Sequence, residues 1–90
     1  MSTVHLIISG KVQGVFYRAT AKEVAGKMGV TGKVQNKEGG DVEIWASGTD
    51  EQLQQFIAWC GKGPSGARVE EVKTVWVADQ EFDAFNIIRK

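Results

Sequence analysis

Apolar residues recur along the chain with two different periods, which separate predicted strands from predicted helices. Short runs rich in β-branched and apolar residues are typical of strands; they span 4–9, 30–35, 41–47, 68–78 and, as a short final run, 85–89. Apolar residues spaced three and four positions apart are typical of one helix face; they are Ala21, Val24, Ala25 and Met28, and then Leu53, Phe56, Ile57 and Cys60. The predicted order is therefore β-α-β-β-α-β with a short extra strand.

Residues that favour helix ends and turns lie where these patterns stop. Gly29 is placed to end the first predicted helix. The segment 49–52, Thr-Asp-Glu-Gln, is a capping box before the second, and the glycines and proline of 61–64 are placed to stop it. The segment 36–40 is a predicted turn between two strands.

This order predicts an α+β protein with the ferredoxin-like split β-α-β fold (βαββαβ). We expect one antiparallel sheet with two helices on one face and a short extra C-terminal strand. In this topology the first two strands run parallel with the third between them, so their C-terminal ends share one sheet edge, about 10 Å apart. The topology therefore brings the segment 13–18 close to Asn36.

Length, charge and cysteine content narrow the class of protein. Ninety residues predict one domain over 1–90, and eleven basic residues balance eleven acidic ones. Because the chain has no net charge, its overall electrostatic field does not attract polyanions. We therefore expect neither a nucleic-acid nor a membrane partner. Cys60 is the only cysteine, which excludes an internal disulfide. Without a signal-peptide pattern or a run of transmembrane length, a cytoplasmic monomer is expected.

The stretch 10–18, GKVQGVFYR, contains residues suited to holding an anion. Gly14 can adopt a positive φ, which turns successive N–H groups inward, and the following helix adds its free N–H groups. Arg18 is unfavourable at that positive helix end unless an anion lies in front of it, and a phosphate would accept bonds from both the amides and the guanidinium. The alternative is that 20–23 is itself a capping box, with Arg18 on an exposed turn.

Asn36 also has two interpretations, as a turn residue before Gly-Gly or as an amide that orients a water molecule. No general acid or base is evident, because His5 lies at the opposite end of the first strand and no acidic or histidine cluster has metal-ligand spacing. Hydrolysis of a phosphate bonded to a carboxylate needs neither a general acid nor a metal, because the conjugate acid of the leaving carboxylate has a pKa of about 4. The residue set therefore favours such a substrate.

The segment 10–18 resembles the first signature of the acylphosphatases, and 32–36, followed by 40–42 and Gly48, resembles the second. The likeness covers essentially the whole chain. It implies metal-free hydrolysis of the carboxyl–phosphate bond in small acyl phosphates, without a cofactor and without a phospho-enzyme. Inorganic phosphate is the implied product and an expected competitive ligand.

The resemblance also implies roles for individual residues. Asn36 would orient the attacking water, and Arg18 would hold the phosphate together with backbone amides. These amides belong to Gln13, Gly14, Val15, Phe16, Tyr17 and Arg18. Lys33 departs from the family, which usually has an aromatic residue there; by strand alternation it points away from the face of Val34, so we expect retained catalysis and an altered surface or stability.

Two other functions use the same fold. An RNA-recognition domain needs paired aromatic residues on its central strands and a basic face, and the segment 41–47, DVEIWAS, lacks the aromatic-rich signature. A non-catalytic module that binds anions in the loop 10–18 without turnover stays open as an alternative. Phosphate release from acetyl or benzoyl phosphate in excess chelator distinguishes this module from an enzyme.

Overall fold

The computed structural model describes residues 1–89 and contains the predicted order of elements. In chain order these are β1 (Ser2–Lys11), α1 (Tyr17–Met28), β2 (Thr31–Asn36), β3 (Val42–Gly48), α2 (Asp50–Lys62), β4 (Arg68–Val77) and β5 (Phe85–Ile87). Gly29 ends α1 with φ 75°, and the capping box of 49–52 is present at the start of α2. The main difference is that α1 begins at Tyr17, four residues before Ala21, the first apolar residue of the predicted helix face. Within residues 1–89, no helix is both long and apolar enough to span a membrane.

The five strands form one sheet in the order β4-β1-β3-β2-β5. β1 pairs antiparallel with β3 and β4, and β2 pairs antiparallel with β3, so β1 and β2 are parallel as predicted. β5 instead pairs parallel with β2, with Gly32 opposite Phe85. The ferredoxin-like α+β fold is confirmed, with an antiparallel arrangement of four strands and a parallel fifth.

The segment 78–84 explains the direction of β5. β4 ends at the sheet edge where β1 and β2 begin, so a chain that crosses this edge must enter β5 in the direction of β2. Hydrogen bonds fix the crossing: the Gln80 N–H donates to Thr3 Oγ1 at 2.8 Å, and Ser47 Oγ donates to the Gln80 carbonyl at 2.8 Å. Thr3 and Ser47 are both buried and lie 2.6 Å apart through their hydroxyls.

The core lies between the sheet and the two helices. Alternate residues of the central strands are buried, among them Val4, Leu6 and Ile8 of β1. The helices cover this face with the residues that the helical spacing predicted to be apolar; the buried ones are Ala21, Ala25, Leu53, Phe56 and Cys60. This packing leaves the other face of the sheet open.

Side chains on the open face form a connected polar and aromatic cluster. His5 Nε2 lies 2.7 Å from Glu43 Oε2, and Gln35 Nε2 donates to Glu43 Oε1 at 2.7 Å. Lys33 Nζ lies 4.5 Å from the ring centroid of Trp45, whose ring centroid is 4.8 Å from that of His5. Lys33 therefore lies on the face away from the core, as strand alternation predicted, and makes a cation–π contact.

Glu43 makes this cluster a source of acid sensitivity. Partial burial raises the pKa of Glu43, but the hydrogen bonds from His5 and Gln35, with the nearby charges of His5 and Lys37, outweigh burial and hold the pKa below its ordinary value of 4.5. Because the folded-state pKa is below the unfolded one, this stabilisation is complete above pH 4.5 and is lost as the pH falls through the folded-state value. We expect Glu43→Gln to lessen the acid-induced loss of unfolding free energy by up to about 1 kcal/mol.

Urea unfolding of the parent and Glu43→Gln at neutral and acid pH measures this difference. Glu38→Gln, which removes an exposed carboxylate from the β2–β3 turn, is the matched control. If acid lowered the unfolding free energy of Glu43→Gln as much as that of the parent, Glu43 would not be the source of the acid sensitivity.

Candidate active site

A cleft opens at the edge of the sheet where β1 and β2 end and α1 begins. Its volume is about 330 Å³, and an adjoining depression of about 370 Å³ shares Arg18, Asn36 and Arg89 with it. The predicted site residues on the cleft wall are Gln13, Gly14, Phe16, Tyr17, Arg18 and Asn36. Val15 is the one predicted residue that does not line the cleft; its side chain packs against the core, and its predicted contribution is a backbone N–H.

Two glycines shape the loop between β1 and α1. The pairing of β1 with β4 shifts register between Ser9 and Gly10, and a Cβ on Gly10 would overlap the carbonyl oxygen of Arg68. Gly14 has φ 75° and faces open space, as its predicted role requires. The first glycine permits a bulge that bends the end of β1, and the second turns the backbone toward the cleft.

Buried side chains anchor this loop to the core. Val12 and Tyr17 are each 1% exposed, and the Tyr17 hydroxyl donates to the Cys60 carbonyl at 2.7 Å. Burial, followed by the proximity of Cys60, raises the pKa of Tyr17 well above its ordinary value. Tyr17 is therefore a neutral, hydrogen-bonded anchor of the loop, and its hydroxyl is not free to transfer a proton in the cleft.

The side chain of Gln13 ties the loop to the turn between β2 and β3. Its Nε2 donates to the Lys37 carbonyl at 2.9 Å and to the Asp41 carbonyl at 2.8 Å. The turn itself is closed by a bond from the Lys37 N–H to the Asp41 carbonyl at 2.8 Å. Gln13 thus fixes the distance between the loop and Asn36, a role that sequence reasoning missed because it assigned only the backbone N–H.

The start of α1 leaves backbone donors free at the cleft. Phe16 precedes the helix with φ 64° and ψ 24°, and its side chain makes no capping hydrogen bond. Both the N–H and the hydroxyl of Thr20 donate to the Phe16 carbonyl, at 3.0 and 2.8 Å. The N–H groups of Tyr17, Arg18 and Ala19 precede this first helical bond and have no partner within the helix.

The alternative capping box at 20–23 is therefore wrong. Thr20 lies inside the first turn and bonds backward to the residue before the helix, because the buried Tyr17 already belongs to the helical face that packs on the sheet. Arg18 consequently lies in the first turn of α1 and not on a turn before it.

The electrostatics of the two helix starts differ. α2 begins with Asp50 and Glu51 and with its capping box, whereas α1 has no acidic residue in its first turn and has Arg18 there. The positive end of the α2 dipole is thus neutralised by its own residues, while that of α1 is reinforced by a cation. The cleft in front of α1 favours an anion.

Asn36 lies at the end of β2 and contributes an unsatisfied acceptor to the cleft. Its Oδ1 is buried and has no hydrogen-bond partner within residues 1–89. Leaving a buried acceptor unpaired costs about 1–3 kcal/mol. Because backbone bonds among Lys37, Gly40 and Asp41 close the turn, a turn role does not account for this side chain. Asn36 also lines the cleft, so this unpaired oxygen belongs to a residue of the cleft wall.

Ile87 and Arg89 complete the cleft wall, and sequence reasoning missed both. They reach this edge because β5 lies parallel to β2, which the pattern of 85–89 alone did not predict. Among residues 1–89, neither Arg18 nor Arg89 takes part in a salt bridge. The cleft therefore has two guanidinium groups.

The other titratable groups that the sequence singled out lie elsewhere. His5 is on the open face of the sheet, bonded to Glu43, and Cys60 is buried in the core, where burial raises its pKa to about 12. In the part of the chain that the structure describes, no three His, Cys, Asp or Glu side chains form a group that could hold a metal ion. The polar groups that line the cleft are backbone amides, side-chain amides and guanidiniums.

The fold defines a ferredoxin-like α+β protein, and comparison with known proteins identifies its family. The sequence profile of the family described as Acylphosphatase matches residues 4–87, and the chain belongs to this family. It is 48% identical over 82 residues to the acylphosphatase of Marinobacter nauticus, covering 90% of this chain and 89% of the relative. It is 42% identical over 91 residues to the acylphosphatase of Methylococcus capsulatus, covering 99% of this chain and 98% of the relative.

A solved structure gives the same result for the fold. The crystal structure of acylphosphatase from Bacillus subtilis is similar to this chain with a TM-score of 0.95 and 30% sequence identity. The similarity covers 99% of this chain and 100% of the other.

Proposed function

We propose that this acylphosphatase hydrolyses the carboxyl–phosphate bond of small acyl phosphates, giving a carboxylate and inorganic phosphate without a metal or a cofactor. Family membership supports the activity. The observation that supports the mechanism is the meeting of the Arg18 guanidinium, the free N–H groups of the α1 start and the unpaired Oδ1 of Asn36 in one cleft.

In the proposed complex, Arg18 and the backbone amides of 13–18 bind the phosphate of the substrate. The guanidinium can donate two parallel hydrogen bonds to phosphate oxygens, while the amides of the loop and the helix start donate from the other side. These donors are held in place before the substrate arrives by the anchors Val12 and Tyr17 and by the hydrogen bonds of Gln13. They stabilise charge on the equatorial oxygens of the transition state at little reorganisation cost.

Asn36 orients the attacking water in this mechanism. Its Oδ1 accepts a hydrogen bond from the water, which attacks phosphorus in line with the leaving carboxylate oxygen. A bond forms from the water oxygen to phosphorus as the bond from phosphorus to the acyl oxygen breaks, and the water proton passes to an oxygen of the phosphate. No phospho-enzyme forms, and positioning suffices because the transition state of phosphoryl transfer is loose.

The composition of the cleft fits the leaving group. A carboxylate, whose conjugate acid has a pKa of about 4, departs without protonation. A phosphomonoester would expel an alkoxide, which needs a general acid or a metal. Neither the bonded Tyr17 hydroxyl nor the distant His5 is placed to supply that proton. The proposed specificity is therefore for acyl phosphates.

Several further properties belong to the same proposal. Inorganic phosphate, the product, competes with the substrate for Arg18 and the amides. The working form is a monomer that acts as a single domain in the cytoplasm, with neither a nucleic-acid nor a membrane partner. The balance of eleven basic and eleven acidic residues supports the absence of polyanionic partners.

A chelator-treated assay tests the proposed reaction. We expect acetyl phosphate and benzoyl phosphate to release phosphate at the same rate with and without excess EDTA, because the proposed chemistry uses no metal. Methyl phosphate, a phosphomonoester whose leaving group is an alkoxide, should react at least about a hundredfold more slowly, the scale of a missing general acid. The disappearance of benzoyl phosphate at several substrate concentrations, with added inorganic phosphate, also measures the competition.

Each opposite result has a defined meaning. Loss of activity on chelation would overturn the metal-free mechanism. Binding of inorganic phosphate without hydrolysis of either acyl phosphate would instead support the non-catalytic anion-binding module.

A further inference from the structure

Phe16 combines an unfavourable backbone conformation with an exposed apolar side chain at the cleft. It is the only residue other than glycine with a positive φ within residues 1–89, at φ 64°. Its side chain is 82% exposed, and it lines the cleft beside Arg18 and Gly14. Non-glycine residues in sparsely populated backbone regions cluster at functional sites, where the strain is retained by the surrounding structure.

The fold explains the conformation of this residue but not its side chain. The chain must turn between Val15, which packs on the core, and the buried Tyr17, and the left-handed conformation of Phe16 makes that turn. Glycine or asparagine would adopt it at lower cost. Among the described residues, Phe16 does not belong to the core or to the side chains packed against it. Neither packing nor backbone geometry therefore accounts for a phenyl group here.

The position of Phe16 is adjacent to where an acyl group would lie. Its own N–H belongs to the proposed phosphate cradle, and its side chain is exposed at the same cleft, which a group attached to the bound phosphate would occupy. Ile87 provides a second apolar side chain on the cleft wall, while Arg18 and Arg89 supply the charge. The cleft thus has a cationic part suited to phosphate and an apolar part suited to the rest of the substrate.

We infer that Phe16 contacts the acyl group of the substrate and makes the enzyme prefer aromatic acyl phosphates to acetyl phosphate. This inference rests on the proposed function and adds its substrate class. A phenyl ring in the substrate can pack against the Phe16 ring in an offset or edge-to-face arrangement, whereas an acetyl group offers only a methyl. Because this contact is the same in the ground state and the transition state, it acts mainly on KM.

The test compares kcat/KM for benzoyl phosphate with that for acetyl phosphate. The ratio of the two is the readout, because any effect of a substitution on the phosphate cradle is common to both substrates and cancels. We expect Phe16→Ala to lower this ratio about fivefold, which is the scale of one aromatic contact. The decrease should come from a higher KM for benzoyl phosphate. Phe16→Tyr, the matched variant that keeps the ring, should hold the ratio within about twofold of the parent.

A glycine variant separates the side chain from the backbone. Phe16→Gly relieves the left-handed strain and should lower the ratio as much as Phe16→Ala does. If instead the alanine variant kept the parental ratio, or the tyrosine variant lost as much as alanine, the inference would be overturned while hydrolysis of both substrates by the parent upheld the proposed function. A parent that hydrolysed neither substrate would overturn both.

Discussion

Arg18→Ala is expected to abolish both phosphate binding and turnover. Arg18 lies in the first turn of α1, at the positive end of a helix without an acidic residue or a side-chain cap, and it lines both the cleft and the adjoining depression. Removing the guanidinium removes the charge and the fork of donors that we propose bind the phosphate, and an arginine acting on a phosphoryl transition state is worth about a thousandfold or more in rate. Steady-state hydrolysis of benzoyl phosphate and calorimetric titration with inorganic phosphate measure the two losses.

Two further variants sharpen this experiment. Arg68→Ala removes an exposed arginine at the start of β4, outside the cleft, and should leave both measurements close to those of the parent. Arg18→Lys keeps the charge without the planar fork, and should recover only part of the lost affinity. Turnover of Arg18→Ala within a few-fold of the parent would remove Arg18 from the mechanism.

Asn36→Ala is expected to lower kcat about a hundredfold, the scale for one oriented polar group at a transition state, while phosphate still binds. The substitution removes the buried, unpaired Oδ1 that we propose as the acceptor for the attacking water. Since this oxygen has no partner within residues 1–89, its removal breaks no hydrogen bond and relieves the cost of an unpaired buried acceptor, so the free energy of unfolding should not fall. Single-turnover hydrolysis, phosphate titration and urea unfolding measure the three quantities.

The neighbouring residue on the other face of β2 provides the control. Gln35→Ala removes an amide that donates to Glu43 on the open face, and it should leave turnover unchanged. If Asn36→Ala weakened phosphate binding and stability together, Asn36 would be a structural residue of the turn and not the one that handles the water.

The meeting of the loop with Asn36 was predictable from the sequence because it follows from topology. Once the order of strands and helices indicated a split β-α-β sheet, β1 and β2 had to end at the same edge. The register of both strands with β3 confirms that arrangement. The roles of Arg18 and Asn36 in catalysis stay proposals, since their positions alone do not test them.

The start of α1 was partly visible in the sequence. Tyr17, Ala21 and Ala25 are spaced four apart and all are buried, so Tyr17 extends toward the N-terminus the apolar face that the helical spacing predicted to begin at Ala21. The capping-box pattern at 20–23 competed with this signal, because Thr is a good N-cap residue wherever its backbone is not already helical. The burial of Tyr17, one turn before Ala21, shows that the helix begins before Thr20.

The contacts of Gln13 and Arg89 had no local signature. Gln13 bonds to carbonyl groups 24 and 28 positions away, and any residue type offers the same carbonyl. Arg89 reaches the cleft only because three residues of β5 pair parallel with β2 after the crossing fixed by Thr3, Ser47 and Gln80. Such contacts depend on tertiary geometry that periodicity does not encode.

The way in which Gln13 binds the β2–β3 turn also bears on how this enzyme can change during evolution. Both of its acceptors are main-chain carbonyls, those of Lys37 and Asp41, so the side chains of the turn contribute nothing to the attachment. Substitutions at 37, 38 and 41 can therefore accumulate and alter surface charge while leaving the catalytic geometry in place. An insertion or deletion there would shift a carbonyl out of reach, so selection on this hairpin should preserve the number of its residues far more strictly than their identity.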